Sequence, residues 1–112
     1  MKWAVIYVSI LLWILIPSRS YAQIMTVNGL IETEKMGVTL IHEHVMVDWV
    51  GADSTGYHRW NRSEVVLRVL PFLKEVKKYG VTTLLDCTPA YLGRDPYVLK
   101  ELSGKIGMHI LT

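Results

Sequence analysis

Of 112 residues only one is cysteine and only one is phenylalanine, and neither sign of charge is in large excess. The lone Cys87 has no intramolecular partner, which excludes a disulfide-stapled mini-protein. Of the 12 basic residues, Lys2 and Arg19 fall within the first 22 positions, leaving 10 basic against 10 acidic side chains in residues 23–112. A net charge of zero there argues against the basic patch of a nucleic-acid binder. It also gives no electrostatic reason to bind an acidic membrane surface. Repeats and low-complexity stretches are missing as well. Hydrophobic residues, by contrast, make up 51% of the chain, enough for a core, although a core built from about ninety residues is marginal.

The longest apolar run is Trp3 to Pro17, 15 residues without a charge, preceded by Lys2. Ser20 and Ala22 then place small residues three and one positions before Gln23. A charged start, an apolar stretch and small residues in that order predict a secretory signal peptide over residues 1–22, cut after Ala22. The run falls short of the roughly 20 apolar residues needed to span a bilayer, so no stable membrane anchor is expected. An uncleaved anchor, making a membrane-bound interaction protein, is the alternative. The mature chain, residues 23–112, is expected to be periplasmic or secreted. In that oxidising compartment an unpaired Cys87 is expected to serve as a buried apolar residue.

Ile24 to Asn28 alternates weakly, and Asn28-Gly29 is a strong hairpin signal with Leu30-Ile31 beginning the return, which predicts a short β-ribbon. Val38 to Val45 is rich in β-branched residues and reads as a buried strand. Met46 to Asn61 has no sustained period and is long for a connection in a compact domain; long loops are often functional. Asn61 and Glu64 form a variant capping box, with Ser63 as a rival cap. They open a helix whose apolar stripe is Val65, Val66, Val69, Leu70, Phe72, Leu73, Val76 and Tyr79. Pro71 predicts a kink in it, and Gly80 its end. Val81 to Cys87 is a second buried strand; Asp95-Pro96 caps a short helix to about Ser103, and Met108 to Thr112 begins a third strand. A ribbon followed by βαβαβ predicts an α/β fold with a parallel sheet. Three strands with two helices would leave one face open. The reading is therefore the N-terminal portion, about the first three strands, of a TIM-type (β/α)8 barrel, an incomplete domain; a complete small α/β domain is the alternative.

His42-Glu43-His44 carries the sharpest chemistry. In a strand, side chains alternate, so His42 and His44 face one way and Glu43 the other. Two same-face imidazoles about 6.6 Å apart along the backbone can converge on one metal ion. They lie at the C-terminal end of their strand, where parallel barrels assemble active sites. Two incidental histidines are the alternative, and two ligands leave a zinc site short of at least one more. Asp86, at the end of the second strand, needs partners if buried. It either orients a metal ligand or a loop, or makes a plain structural hydrogen bond.

The run Thr26-Val27-Asn28-Gly29-Leu30-Ile31, then Gly37-Val38-Thr39-Leu40-Ile41-His42-Glu43-His44, resembles the start of the phosphotriesterase family within the amidohydrolase superfamily. Gly80-Val81-Thr82-Thr83-Leu84-Leu85-Asp86 and Leu92-Gly93-Arg94-Asp95 are similar to that family's second strand and following loop. The resemblance covers Met25 to Thr112, about the first third of the family's barrel. It implies a metal-dependent hydrolase with a binuclear centre, usually zinc, in which His42 and His44 ligate the more buried ion. The remaining ligands, a carboxylated lysine, two histidines and an aspartate, belong to later strands of the family. His58 and His109 do not match them; His58 is expected exposed in the loop and His109 structural.

The implied reaction is water attack on a phosphoester, lactone or other ester of a small-molecule substrate. Met46-Val47-Asp48-Trp49 follows the ligand strand, so Trp49 would stack on an apolar leaving group or pack at the barrel rim. Arg94 would brace its loop by an ion pair. A homodimer is compatible with this reading. The 112 residues by themselves, without the later ligands, are expected to be inactive. The alternative is a non-catalytic fragment or small binding module lacking most of the metal ligands.

Overall fold

The computed structural model describes residues 22–112. The expected signal peptide, except Ala22, lies outside the described residues. Strands β1 (Gln23–Thr26) and β2 (Gly29–Glu32) pair antiparallel, Ile24 opposite Ile31. The turn is Val27-Asn28, one residue earlier than the Asn-Gly signal suggests, and Gly29 carries the left-handed backbone (φ 113°) that a side chain resists. Two hydrogen bonds fasten this ribbon to the rest. Val27 N–H donates to Ile110 O at 2.9 Å, and Asn28 Nδ2 donates to Ser103 Oγ at 2.6 Å.

Strands β3 (Val38–Glu43), β4 (Val81–Asp86) and β5 (His109–Leu111) form a parallel sheet in the order β3-β4-β5. The crossovers are helix α1 (Arg62–Lys78) and helix α2 (Pro96–Ile106). This is the βαβαβ order expected for the opening of a parallel barrel; among the described residues the sheet does not close. Its core lies between sheet and helices. Val98, Leu99, Leu102 and Ile106 of α2 meet Leu84 of β4, Ile110 of β5 and Met108 just before it, and Val66 and Leu73 from α1.

Helix α1 begins where Asn61 accepts from the Ser63 and Glu64 N–H groups, so Asn61 is the cap and Ser63 is not. It continues through Pro71 without a break in the helix. Pro71 and Leu67, four residues before it, are both exposed, so the carbonyl that the proline leaves unbonded can face water. The buried seam is narrower than the stripe read from sequence: Val66 and Leu73 are buried, whereas Phe72 and Tyr79 are exposed. These two sit on a flank of α1 with no neighbouring element to cover it among the described residues. Helix α2 runs three residues beyond Ser103. Leu102, Ser103 and Ile106 are buried there and hold Gly104 helical, and Gly107 (φ 62°) supplies the left-handed cap.

Two expectations about burial fail. Strand β3 is an edge, bonded only to β4, so Val38 and Ile41 (74% exposed) stand open where a buried strand was expected. Cys87 is exposed, not buried. Leu84 and Asp86 are buried, whereas Cys87 lies one residue past the end of β4 and is left open.

The helices are locked together at Asp95. Its Oδ1 accepts from the Tyr97 and Val98 N–H groups as the cap of α2. Its Oδ2 accepts from Arg62 Nε at 2.7 Å, at the start of α1, and from Trp60 Nε1 at 3.0 Å, just before it. The Arg62 guanidinium also lies over the Tyr57 and Tyr97 rings, at 4.9 and 4.5 Å from their centroids. Burial pushes the Asp95 carboxyl up, and these donors more than offset it, holding it below the usual aspartate range.

Three outcomes follow. Asp95→Ala removes a cap and a charge-assisted partner together, and should cost on the order of 2–3 kcal/mol in urea unfolding of the whole protein. Because the native carboxyl is held low, its contribution is intact at neutral pH. It fades as pH falls below the unfolded value of about 3.9, so Asp95→Asn should flatten that acid limb. Residues 23–112 expressed alone, with one sheet face and the β3 edge bare, should unfold without a single sharp transition; a cooperative melt of a soluble monomer would contradict this.

Candidate metal-ligand site

Opposite β4, strand β3 changes register between Leu40 and Glu43: Leu40 pairs with Leu84 and Glu43 with Asp86. Three steps on β3 therefore match two on β4, and the extra residue bulges the strand at Ile41-His42. Both side chains are consequently exposed, breaking the simple alternation. His44 falls just past the strand end. The His42 and His44 rings meet edge to face, centroids 5.3 Å apart with 73° between their planes. Both are accessible, and two imidazoles so disposed suit a shared divalent ion as two of its ligands. Among the described residues no third His, Cys, Asp or Glu joins them. His58 lies exposed in the loop and His109 half-buried in β5, neither with the pair.

Behind His44 stands a buried chain of polar groups. His44 Nδ1 lies 3.1 Å from Thr88 Oγ1, and Thr88 donates to Asp86 Oδ1 at 2.8 Å. The same Asp86 oxygen accepts from Val45 N–H at 3.1 Å. Asp86 thus ties the end of β4 to the residue after His44 and, through Thr88, to His44 itself. Thr88 was not singled out from sequence; the available signal was a hydroxyl two residues beyond a carboxylate at a strand end.

The loop after β3 is organised by Asp48, also overlooked as a sequence feature. Its carboxylate accepts from Arg59 Nε at 2.6 Å, from Thr55 Oγ1 at 2.9 Å and from Val50 N–H at 3.3 Å, while its N–H donates to Leu92 O at 2.8 Å. The hydrogen bond from Arg59 holds this carboxyl below the usual aspartate range. Gly93 (φ 100°) lets the two loops touch: a Cβ there would sit 3.1 Å from the Asp48 nitrogen. Trp49 follows this hub and is 79% exposed. Arg94 makes no ion pair among the described residues; the loops are braced instead by Arg59 with Asp48 and by Arg62 with Asp95.

Two hollows flank the site. One of about 520 Å³ opens at the ends of β4 and β5 beside Asp86, Cys87, Thr88, Arg94 and Leu111. The other, about 380 Å³, lies between β3 and α1 beside His44, Val45, Val69 and Phe72. Trp49 walls neither.

A profile of the phosphotriesterase family matches residues 22–112. Over 82 residues the chain is 30% identical to an aryldialkylphosphatase of Saccharolobus solfataricus, an alignment covering 73% of this chain and 26% of that protein. Over 73 residues it is 34% identical to a phosphotriesterase homology protein of Mycobacterium tuberculosis, covering 64% and 22%. The chain therefore spans about a quarter of the length of these curated relatives. Among solved structures, an organophosphorus hydrolase from Deinococcus radiodurans superposes with a TM-score of 0.70 at 29% identity, over 87% of this chain and 29% of that one. A structure from work on engineering organophosphate hydrolysis from a weak promiscuous lactonase template gives 0.70 at 28% identity, over 80% and 28%. These neighbours are TIM-barrel proteins, and the ribbon with its three parallel strands corresponds to part of such a barrel. With the profile match running from Ala22 to the last residue, the chain belongs to the phosphotriesterase family.

Proposed function

We propose that this chain contributes the first metal ligands and the adjoining substrate loop of a metal-dependent hydrolase acting on a phosphotriester, lactone or related ester. The observation that carries the reading is the convergence of His42 and His44 at the C-terminal end of β3, inside a sequence of this family. The relatives' names, an aryldialkylphosphatase and an organophosphorus hydrolase, support the ester class. A divalent metal, zinc by resemblance and paired with a second ion, would be held in part by these two imidazoles. When bound, such an ion would lower the pKa of a water to near neutrality and polarise the phosphoryl or carbonyl oxygen of the group under attack.

This chain's own groups do the rest of the work assigned here. His42 and His44 offer neutral nitrogen donors beside the bulge in β3. Asp86 and Thr88 hold His44 from behind. Asp48 fastens the loop that carries Trp49, whose exposed indole offers an apolar face to a leaving group. Export through the signal at residues 1–22 suits an enzyme meeting small-molecule esters outside the cytoplasm.

In the protein expressed from its whole reading frame, His42→Ala with His44→Ala should remove most of the bound metal measured by elemental analysis; unchanged metal content would overturn the ligand assignment. Trp49→Ala should raise KM for an aryl ester about 3–10-fold with kcat little changed, the size of one aromatic contact. An unaltered KM would assign Trp49 to rim packing.

A further inference from the structure

The hydrogen bonds behind His44 allow one arrangement of protons, whose consequence for metal binding rests on the metal-ligand reading of His44. Thr88 is 1% exposed and has one hydroxyl proton. Asp86, itself buried, has an oxygen at 2.8 Å from that hydroxyl and 3.1 Å from the Val45 N–H. An ionised carboxylate only accepts, so the Thr88 proton points at Asp86 and the Thr88 oxygen turns its lone pairs elsewhere. The atom facing those lone pairs is His44 Nδ1, 3.1 Å away. If that nitrogen also carried a lone pair, two acceptors would confront each other at that distance with no hydrogen between them. Every proton in the chain is accounted for only when His44 Nδ1 bears a hydrogen and donates it to Thr88.

We propose that Asp86 and Thr88 form a relay that locks neutral His44 as the Nδ1–H tautomer, leaving the Nε2 lone pair free for the metal. Thr88 is a positioning residue: it does not touch metal or substrate, and it acts through the ring it orients. Free imidazole samples both tautomers, so selecting one removes a cost that each binding event would otherwise carry. The hydroxyl also fixes the ring's rotation about its Cβ–Cγ bond. Val45 N–H on the same Asp86 oxygen ties the relay to the backbone that carries the ring, so ring and carboxylate cannot drift apart independently. The loop's position after β4 supports the arrangement, because Cys87 N–H donates to Glu43 O at 2.8 Å and clamps the two strand ends on either side of it.

The test is made on the whole protein stripped of metal, at one fixed, mildly alkaline pH. Long-range proton–nitrogen correlation spectra of the histidine rings should give His44 a pyrrole-type Nδ1 and a pyridine-type Nε2; the reverse assignment, or an even mixture, would overturn the proposal. Thr88→Val removes the hydroxyl at nearly constant shape and should shift His44 toward a tautomer mixture. It should also weaken zinc binding, read by chelator competition, by about 10-fold, the lower end for groups that orient a ligand. Thr88→Ser restores the hydroxyl and should restore both readouts to within about threefold of the parent, with thermal unfolding recorded for each variant. Equal losses in Thr88→Ser and Thr88→Val would make the residue a packing element and end the relay. If Thr88→Val fails to fold, the unsubstituted protein's nitrogen spectrum still decides the tautomer. Metal retained by the double histidine variant would defeat the ligand reading, whereas a pyridine-type Nδ1 in a protein that does bind metal through His44 would defeat only the relay.

Discussion

Asp95 is almost cut off from water and yet sits among donors to both its oxygens: two backbone N–H groups of α2, the Trp60 indole and the Arg62 guanidinium. A buried carboxylate without such partners would be strongly unfavourable, and with them it becomes a joint that three segments share. It starts α2, it fixes the first turn of α1 against α2, and through Trp60 it ends the long loop that left β3. The site depends on that joint, because the loop carrying Asp48 and Trp49 is anchored at one end by β3 and at the other by Trp60 and Arg62. A second carboxylate, Asp48, pins the middle of the same loop to the loop after β4.

Two parallel strands then do the positioning that chemistry needs. β3 and β4 run side by side with their C-terminal ends together, which brings His44 to Thr88 and Asp86 although 42 to 44 positions separate them in sequence. The bulge at Ile41-His42 adds one residue to β3 at the first of the two histidines, whose ring meets that of His44 edge to face. The same edge position that exposes the pair also leaves Val38 and Ile41 uncovered. Exposure of the site and exposure of apolar surface therefore have a common origin, the unpaired side of β3.

Much of the architecture was legible locally. The ribbon, the three strands and the two helices appear where β-branched runs, capping residues and glycines put them, since these signals act within a few residues and need no partner. The spacing of His42 and His44 was legible for the same reason, but not how the rings meet, because the bulge interrupts the alternation and His44 falls past the strand end. Burial was less legible. Phe72, Tyr79 and Ile41 are apolar and in register with a stripe or strand, but a stripe records only which side is apolar and says nothing about how wide a neighbour covers it. Cys87 belongs to a residue type that is usually buried, yet it lies just past the end of β4 and is open, which no local pattern records. Asp48 and Thr88 escaped notice because each acquires its role from a partner on another loop.

By itself, the sequence determined the order and kinds of elements, the histidine pair and its place at a strand end, because backbone propensity, capping and side-chain alternation are properties of neighbours along the chain. Tertiary structure alone decided that β3 is an edge, that a bulge interrupts it at His42, and that Thr88 and Asp86 stand behind His44. Those outcomes depend on the register between strands joined by a helix and on the helix joint at Asp95. Such register is set by packing across the sheet, between residues that no local pattern relates.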